Sequence, residues 1–192
     1  MRSSTGLEII NRAVDTVTDN CKMSQILNHS IDLDATDLRV LAKLQVDASL
    51  SNQDLAESVH ISPATCLRRV KRLVEAGVIE RRVAILSPAR LGAGLTVFVE
   101  VSLDKQGAEH IAAFEARALE ESVVQQCHRV SPGPDLMLVI QLPDMAAYHA
   151  LVQRLFTQDA NVRNVKAFFS VHRAKFETAI ALPPLPVGSA RS

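Results

Sequence analysis

Four basic side chains and a threonine lie within one short stretch whose chemistry suits a polyanion. On a helix, Thr65, Arg68 and Arg72 share one face, and Arg69 and Lys71 flank it. Cations of this kind neutralise phosphates, and a helix seated on a core with its cations outward is typical of DNA-binding proteins. Most basic helix faces are nevertheless only solvated, so the prediction depends on the elements around the stretch.

Those elements predict a helix-turn-helix over residues 51–77. Ser51 and the acid at position 54 match the Ser-x-x-acid capping pattern of a first helix. Ser62-Pro63 restarts a second helix after the turn at His60-Ile61, because serine caps a helix and proline suits its first position. Gly77 predicts the end of that helix. The predicted apolar stripes are Leu55 and Val59 in the first helix, and Leu67, Val70, Leu73 and Val74 in the second.

The flanking residues complete a small N-terminal domain. Asp34–Asp47 predicts a preceding helix with Leu38, Leu41 and Leu44 inward. After the glycine, Val83–Leu86 predicts a short strand or wing, and Arg81 and Arg82 beside it are placed to contact phosphate. Three helices then surround one small core.

The rest of the chain has the order βαββαβ of a ferredoxin-like domain. The predicted strands are Leu95–Leu103, Val123–Val130, Leu136–Leu142 and a last one within Val162–His172, and the helices are Gly107–Glu121, with Ile111, Phe114 and Leu119 inward, and one capped by Asp144. Two helices cover one face of such a sheet. The other face of these apolar strands is costly to leave in water, so we expect a partner subunit and a homodimer.

The fold class is thus α+β, a winged helix-turn-helix followed by a ferredoxin-like domain. We expect an N-terminal extension in residues 1–30, in which residues 1–22 reflect a mis-assigned start or an added segment without a function of their own. The helix-turn-helix domain occupies residues 31–86, a linker 87–94, the ferredoxin-like domain 95–182 and a disordered tail 183–192.

Composition limits the remaining classes. The 192 residues carry 21 basic and 21 acidic side chains, yet the segment from His60 to Arg82 has six basic residues against two acids. Positive charge is therefore local. Three widely spaced cysteines form neither a disulfide framework nor a zinc pattern, and adjacent Cys127 and His128 point to opposite faces of a strand. We expect no metal and no cofactor, and, without an apolar span or signal peptide, no membrane partner and a cytoplasmic location.

With both domains placed, the chain resembles the leucine-responsive regulatory protein/AsnC family of transcription regulators from about Leu33 to Leu182. The resemblance rests on LDATDLRVLAKLQVDASLSNQDLA, ISPATCLRRVKRLVEAGVIERRVAILSPARLG, FVEVSL, LPDM and VKAFFSVHR. It implies a DNA-binding regulator whose RAM/ACT-like domain dimerises, binds an amino acid or related metabolite, and assembles into tetramers or octamers with effector sites between dimers.

The resemblance also assigns residues to double-stranded DNA. The stretch from Ser62 to Ala76 matches the recognition helix, and Ser51 and Asn52 match phosphate contacts from the helix before it. The groove contacts that it implies are Pro63, Ala64, Thr65, Arg68 and Arg69.

The effector region departs from the family pattern. Many members have a Gly-Asp-x-Asp-Tyr-like turn, where this chain has Ser131-Pro132-Gly133-Pro134-Asp135-Leu136. Asp135 occupies the place of the second acid and could hold an ammonium group, or it only caps the turn. The remaining effector candidates by position are Arg129, Ser131, Gly133, Met145, Phe168, Phe169 and Ser170, of which Met145 and Phe169 are alternatively core residues.

Two alternatives stay open. One is an architectural DNA-binding protein without an effector, and the other is an enzyme, because relatives of this family include tetrapyrrole decarboxylases. His128, Ser131 and Asp135 offer a Ser-His-Asp set by type, but their order on a hairpin gives no reason for a Ser–His hydrogen bond. We therefore predict no catalytic residues.

Overall fold

A computed structural model describes residues 32–184, so the predicted extension at residues 1–30 and most of the predicted tail lie outside it. By contacts the described chain divides into a helical unit, residues 32–85 with 175–184, and an α+β unit, residues 86–174. The sequence interpretation gave residues 175–182 to the second domain, whereas the structure packs residues 175–184 with the helices. Leu182 is the reason, since it joins the apolar core of the helical unit.

The helical unit contains three helices with local start signals. They are α1, Ala35–Leu44; α2, Asn52–Ser58; and α3, Pro63–Glu75. The side chain of Asp34 caps α1 in a capping box with Asp37, Ser51 caps α2, and Ser62 caps α3 with proline at its first position. Gly77 follows α3 with a φ of 71°, the left-handed conformation that ends a helix and favours glycine.

The core of the helical unit corrects the predicted stripe of α3. The buried residues of this helix are Cys66, Val70 and Leu73, whereas Leu67 is 60% and Val74 48% exposed. The buried stripe of α3 is therefore rotated about the helix axis relative to the predicted stripe, because Cys66 packs in the interior in place of Leu67. Against it pack the predicted residues of α1 and α2, which are Val40, Leu41, Leu44, Leu55 and Val59.

The predicted wing strand is absent. Residues 80–86 run without helix or strand pairing, and the side chains of Val83, Ile85 and Leu86 are exposed. A single extended segment has no backbone partner within the described chain, so its apolar composition alone does not make a strand. A 3-10 turn, Pro88–Leu91, follows in the predicted linker.

The α+β unit has the predicted ferredoxin-like order. Its elements are β1, Leu95–Leu103; α4, Ala108–Glu120; β2, Val124–Arg129; β3, Leu136–Leu142; α5, Met145–Leu151, which continues as a π-helical turn, Val152–Thr157; and β4, Val162–Phe169. All pairs are antiparallel in the order β2-β3-β1-β4. The last strand lies within the predicted range and ends at Phe169.

One face of this sheet carries the core. Alternate residues of β1 and β3 are fully buried under the two helices together with Phe114 and Leu151. Leu119, predicted to point inward, is 76% exposed, because the residue of α4 that enters the core at that turn is Ala118. Among residues 32–184, no helix covers the opposite face of the sheet.

Candidate functional site

Helix α3 presents two chemically different sides to its surroundings. Ala64, Leu67, Arg68 and Lys71 are all exposed, and their spacing places them on one face of the helix. This outward face holds two of the predicted cations and Leu67, an apolar residue that the periodicity assigned to the core. The methyl groups of Leu67 suit contact with a base edge, and the cations beside it suit contact with a base or a phosphate.

The other side of α3 turns its cations inward. The Nη1 atom of Arg69 lies 2.8 Å from Asp37 Oδ1 and 2.6 Å from Asp34 Oδ2, and Arg72 donates to the remaining oxygen of Asp37. The hydrogen bonds that Arg69 donates to the carboxylates of Asp37 and Asp34 raise the pKa of its guanidinium. The structure therefore places Arg69 and Arg72 against α1, not on the outward face where the groove contact of Arg69 was predicted.

The same hydrogen bonds change the pKa of the Asp34 carboxyl. Partial burial raises the pKa of its carboxyl, but the hydrogen bond from the Asp37 N–H and the Arg69 guanidinium outweigh it, and the pKa falls below its ordinary value of 3.8. Asp34 is thus ionised at neutral pH in the pairs that it forms. The sequence did not indicate these partners, because Arg69 lies 32 residues from Asp37.

Four further candidates hold the helix-turn-helix together. Ser51 Oγ accepts from the N–H of the acid at position 54, and Ser62 Oγ accepts from the N–H of Thr65 and donates to its hydroxyl. The Asn52 amide donates to the carbonyl of Pro63 at 2.9 Å, which joins the start of α2 to the start of α3. Their hydroxyl and amide groups therefore already serve the motif.

Arg81 and Arg82 follow α3 in the extended segment. Both side chains are exposed. They remain the charged part of the predicted wing region even though no strand forms there.

The effector candidates separate into two groups. Asp135 Oδ2 accepts from the N–H of Leu103 at 2.7 Å, so the carboxylate is bonded to the end of β1 and not to the backbone of its own turn. Arg129 makes two hydrogen bonds of 2.5 Å to Glu115, and the exposed Ser131 and Gly133 lie in the adjoining turn.

The second group lies at the opposite end of β1. Ser170 donates its N–H to the carbonyl of Thr96, and Phe168 stands opposite Phe98. Thr96 and Leu103 are seven positions apart on one strand, which separates Ser170 from Asp135 by about 23 Å. Within one chain the structure therefore does not bring the eight candidates into one site.

The two remaining members of that second group are also partly exposed. Phe169 packs edge-on against Tyr148 with ring centroids 5.2 Å apart, on the helix-covered face. Met145 opens α5 and is 44% exposed, so neither residue is the fully buried core residue that the alternative described.

A cavity of about 310 Å³ lies beside Ser170 in the α+β unit. Its polar lining includes Ser87, Thr96, Gln141 and His172, none of which the sequence singled out. Gln141 donates to the carbonyls of residues 93 and 95 and accepts from the Thr96 hydroxyl, so it fastens the linker to the sheet. Only the folded sheet brings these distant residues together.

The Ser-His-Asp set does not form a relay. His128 Nε2 lies 3.1 Å from Gln126 Oε1, and the Asp135 carboxylate is bonded to the end of β1. Over residues 32–184, no three His, Cys, Asp or Glu side chains are grouped to hold a metal ion. In the same range no helix is long and apolar enough to cross a membrane.

Known proteins match both units in the same order. A family model described as winged helix-turn-helix DNA-binding matches residues 33–80, and one described as the Lrp/AsnC ligand binding domain matches residues 96–180. The leucine-responsive regulatory protein of Salmonella typhimurium is 35% identical over 144 residues, which cover 75% of this chain and 88% of that protein. The chain belongs to the Lrp/AsnC family.

Other Lrp/AsnC proteins align with this chain over a larger share of their own length. The Bkd operon transcriptional regulator of Pseudomonas aeruginosa is 36% identical over 154 residues, 80% of this chain and 99% of that protein. An AsnC family transcriptional regulator from Agrobacterium tumefaciens has a TM-score of 0.73 at 33% identity, covering 78% of this chain and 97% of its own. A Neisseria meningitidis transcriptional regulator, solved as a complex with L-Met, has a TM-score of 0.72 at 30% identity, with coverage of 78% and 97%.

Proposed function

We propose that this Lrp/AsnC protein is a sequence-specific transcription regulator that places α3 in the major groove of its operator. The outward face of α3 carries the proposal, because Arg68 and Lys71 stand there beside Ala64 and Leu67. Arg68 supplies the principal base contact and Lys71 a phosphate contact. Arg81 and Arg82 add phosphate contacts from the following segment.

Two copies of α3 are needed for a two-fold operator, and the uncovered sheet face supplies a reason for dimerisation. Phe98 of β1 stands between Phe168 of β4 and Val139 of β3 in register, so an apolar row crosses three strands. Both phenylalanines are substantially exposed in the single chain. A second copy covers this row in our proposal, and the dimers assemble further.

An amino acid or a related metabolite regulates the assembly. The family relation and the Neisseria meningitidis regulator bound to L-Met support this part. Because the candidate residues form two groups at opposite ends of the sheet, we propose that a complete effector site combines groups from different subunits. Ligand-independent DNA binding is the second candidate, and a thermal-shift screen of the twenty amino acids distinguishes them, since a bound ligand raises folded-state stability.

Arg68→Ala tests the DNA-binding face. We expect operator affinity to fall about tenfold or more, because a good base contact contributes about 1–3 kcal/mol of discrimination. Arg39→Ala is the matched control, since Arg39 is also exposed but lies on α1, bonded to Thr36. Equal operator affinity for the Arg68 variant and the wild type, measured by fluorescence anisotropy at moderate salt, would contradict the proposed orientation of α3.

A further inference from the structure

Asp37 is the one buried charged residue among those that the structure describes, and it lies beneath the recognition helix. Its side chain is fully buried, at 0% exposure. Its two oxygens accept hydrogen bonds from Arg69 and Arg72, and one of them also accepts the N–H of Asp34. Every side-chain oxygen of this residue therefore has a partner, and two partners come from α3.

This arrangement fixes how α3 is turned about its own axis. Arg69 and Arg72 are three residues apart, so they lie on one side of the helix, and both are anchored to the same carboxylate. Rotation of α3 would pull both guanidinium groups away from Asp37. With that side anchored, the face that contains Leu67 and Arg68 remains outward.

The same arrangement changes how many cations of α3 are available to DNA. The helix has four basic residues, and two of them are paired with acids of α1. Removing one partner from a buried ion pair is strongly destabilising, because the other charge is left without water or a counter-charge. The fully buried carboxylate of Asp37 therefore holds both guanidinium groups, although the Arg72 side chain itself is 45% exposed.

Binding without sequence preference depends on how many phosphates are neutralised, whereas operator binding also needs correctly oriented base contacts. We propose that Asp37 is a positioning and specificity-determining residue for DNA recognition. It orients α3 for base contacts and withholds two arginines from indiscriminate phosphate binding. The inference rests on the proposed DNA-binding function and adds to it a residue that does not touch DNA.

Asp37→Asn removes the charge while keeping the shape of the side chain. We expect operator affinity to fall and affinity for an unrelated duplex of equal length to rise, so that their ratio falls about tenfold or more. Release of Arg69 and Arg72 from Asp37 also makes non-specific binding more sensitive to salt. The slope of log affinity against log salt concentration should steepen by about one to two. Both duplexes are titrated with full-length protein over a series of salt concentrations.

The controls separate positioning from general damage. Asp47→Asn makes the same chemical change at an exposed residue that is bonded to Ser49. This variant should leave both DNA affinities and the salt slope unchanged. Urea unfolding gives the folded fraction of each variant. A purely structural role for Asp37 predicts that both affinities fall together with the folded fraction, and that outcome would overturn the inference.

Arg72→Gln keeps the inference testable even where the first variant does not fold. Asp37 then retains Arg69 as its counter-charge. Because Arg72 is held away from phosphate, the salt slope of non-specific binding should stay at the wild-type value. A loss of about one in that slope would show that Arg72 contacts a phosphate, and would overturn the inference. A wild-type protein that prefers no DNA sequence would instead overturn the proposed function, and the inference with it.

Discussion

At the scale of single residues, what a charged side chain can do is decided by its partners. Arg68 and Arg69 are neighbours in the sequence, but Arg68 is exposed and Arg69 is bonded to two aspartates. A hundred-degree step along the helix is enough to move a guanidinium from solvent to a buried acid. In our proposal the two residues therefore have different roles: Arg68 contacts DNA and Arg69 holds α3 against α1.

Arg129 is likewise committed to a partner inside its own chain. Its hydrogen bonds lower the pKa of the Glu115 carboxyl below the ordinary value of 4.5, although burial of Glu115 opposes this. Because the folded state prefers the ionised acid, the pair stabilises the fold at pH values above the ordinary pKa of 4.5. The contribution is lost as the pH falls through the lowered pKa of the folded protein.

Glu115→Gln should therefore reduce the pH dependence of stability between about pH 5 and pH 3. At pH 7 the free energy of unfolding of the variant should be lower by about 0.2–1 kcal/mol, since the Arg129–Glu115 pair is partly exposed and screened by solvent. Urea unfolding of both proteins at a series of pH values measures this. Glu120→Gln, exposed on the same helix, controls for net charge. Parallel pH profiles for the wild type and the Glu115 variant would rule out this role.

The residue scale is also where sequence reasoning is weakest. The caps at Ser51 and Ser62 were predictable because a cap and its partner lie three residues apart. The partners of Arg69 were not, since they belong to another helix. Leu67 was wrongly assigned to the core and the buried Cys66 was missed. Adjacent residues differ by one step around the helix, and the pattern alone does not fix which of two neighbouring stripes is buried.

At the scale of elements, the strands of the sheet were predicted accurately. The bounds of β1 and β3 agree with the prediction, since each is a short, strongly apolar run bounded by turn-forming residues. No strand forms in the wing region because a strand needs a partner, and residues 80–86 have none in the described chain. The effector candidates failed to converge because the length of β1 separates them.

The C-terminal segment packs with the helical unit, whereas the sequence interpretation assigned residues 175–182 to the second domain. The Gln45 side chain donates to the carbonyl of Ile180 and accepts its N–H, both at 3.1 Å, in the manner of a strand pair. Leu182 packs on the core of the helical unit. Residues 175–184 therefore complete a unit whose helices come from the other end of the sequence.

Leu182→Ala should destabilise the helical unit by about 1 kcal/mol, less than a fully buried leucine because Leu182 is only partly buried. Hydrogen exchange of α1 and α3 amides should accelerate accordingly. Ile180→Ala is the matched control, since that side chain is exposed while its backbone makes the bonds to Gln45. Equal exchange rates in the two variants would mean that Leu182 adds nothing to this unit.

At the scale of the whole molecule, the α+β unit has two unlike surfaces. Its helices cover one face of the sheet, and the opposite face carries the row formed by Phe98, Phe168 and Val139. Beside that row, Glu100 and Lys166 pair across β1 and β4. An apolar centre with a charged border is the usual composition of a protein–protein interface.

Phe168→Glu should convert dimers to monomers, because each dimer would lose two buried aromatic rings and gain two carboxylates. Burial of one such ring contributes about 1.5–3 kcal/mol, so the dimer dissociation constant should rise at least about a hundredfold. Sedimentation equilibrium measures the mass. Leu119→Glu is the control, as this exposed leucine lies on the helix side. A Phe168 variant that still sediments as a dimer would place the interface elsewhere.

The central claim is that α3 reads DNA sequence through its outward face. Selection of genomic fragments by the full-length protein, followed by sequencing, tests it most directly. We predict enrichment of one motif with two half-sites about 10–10.5 base pairs apart, and loss of that enrichment in the Arg68→Ala protein. Recovery of fragments without a shared motif, or the same motif from the Arg68→Ala protein, would contradict it.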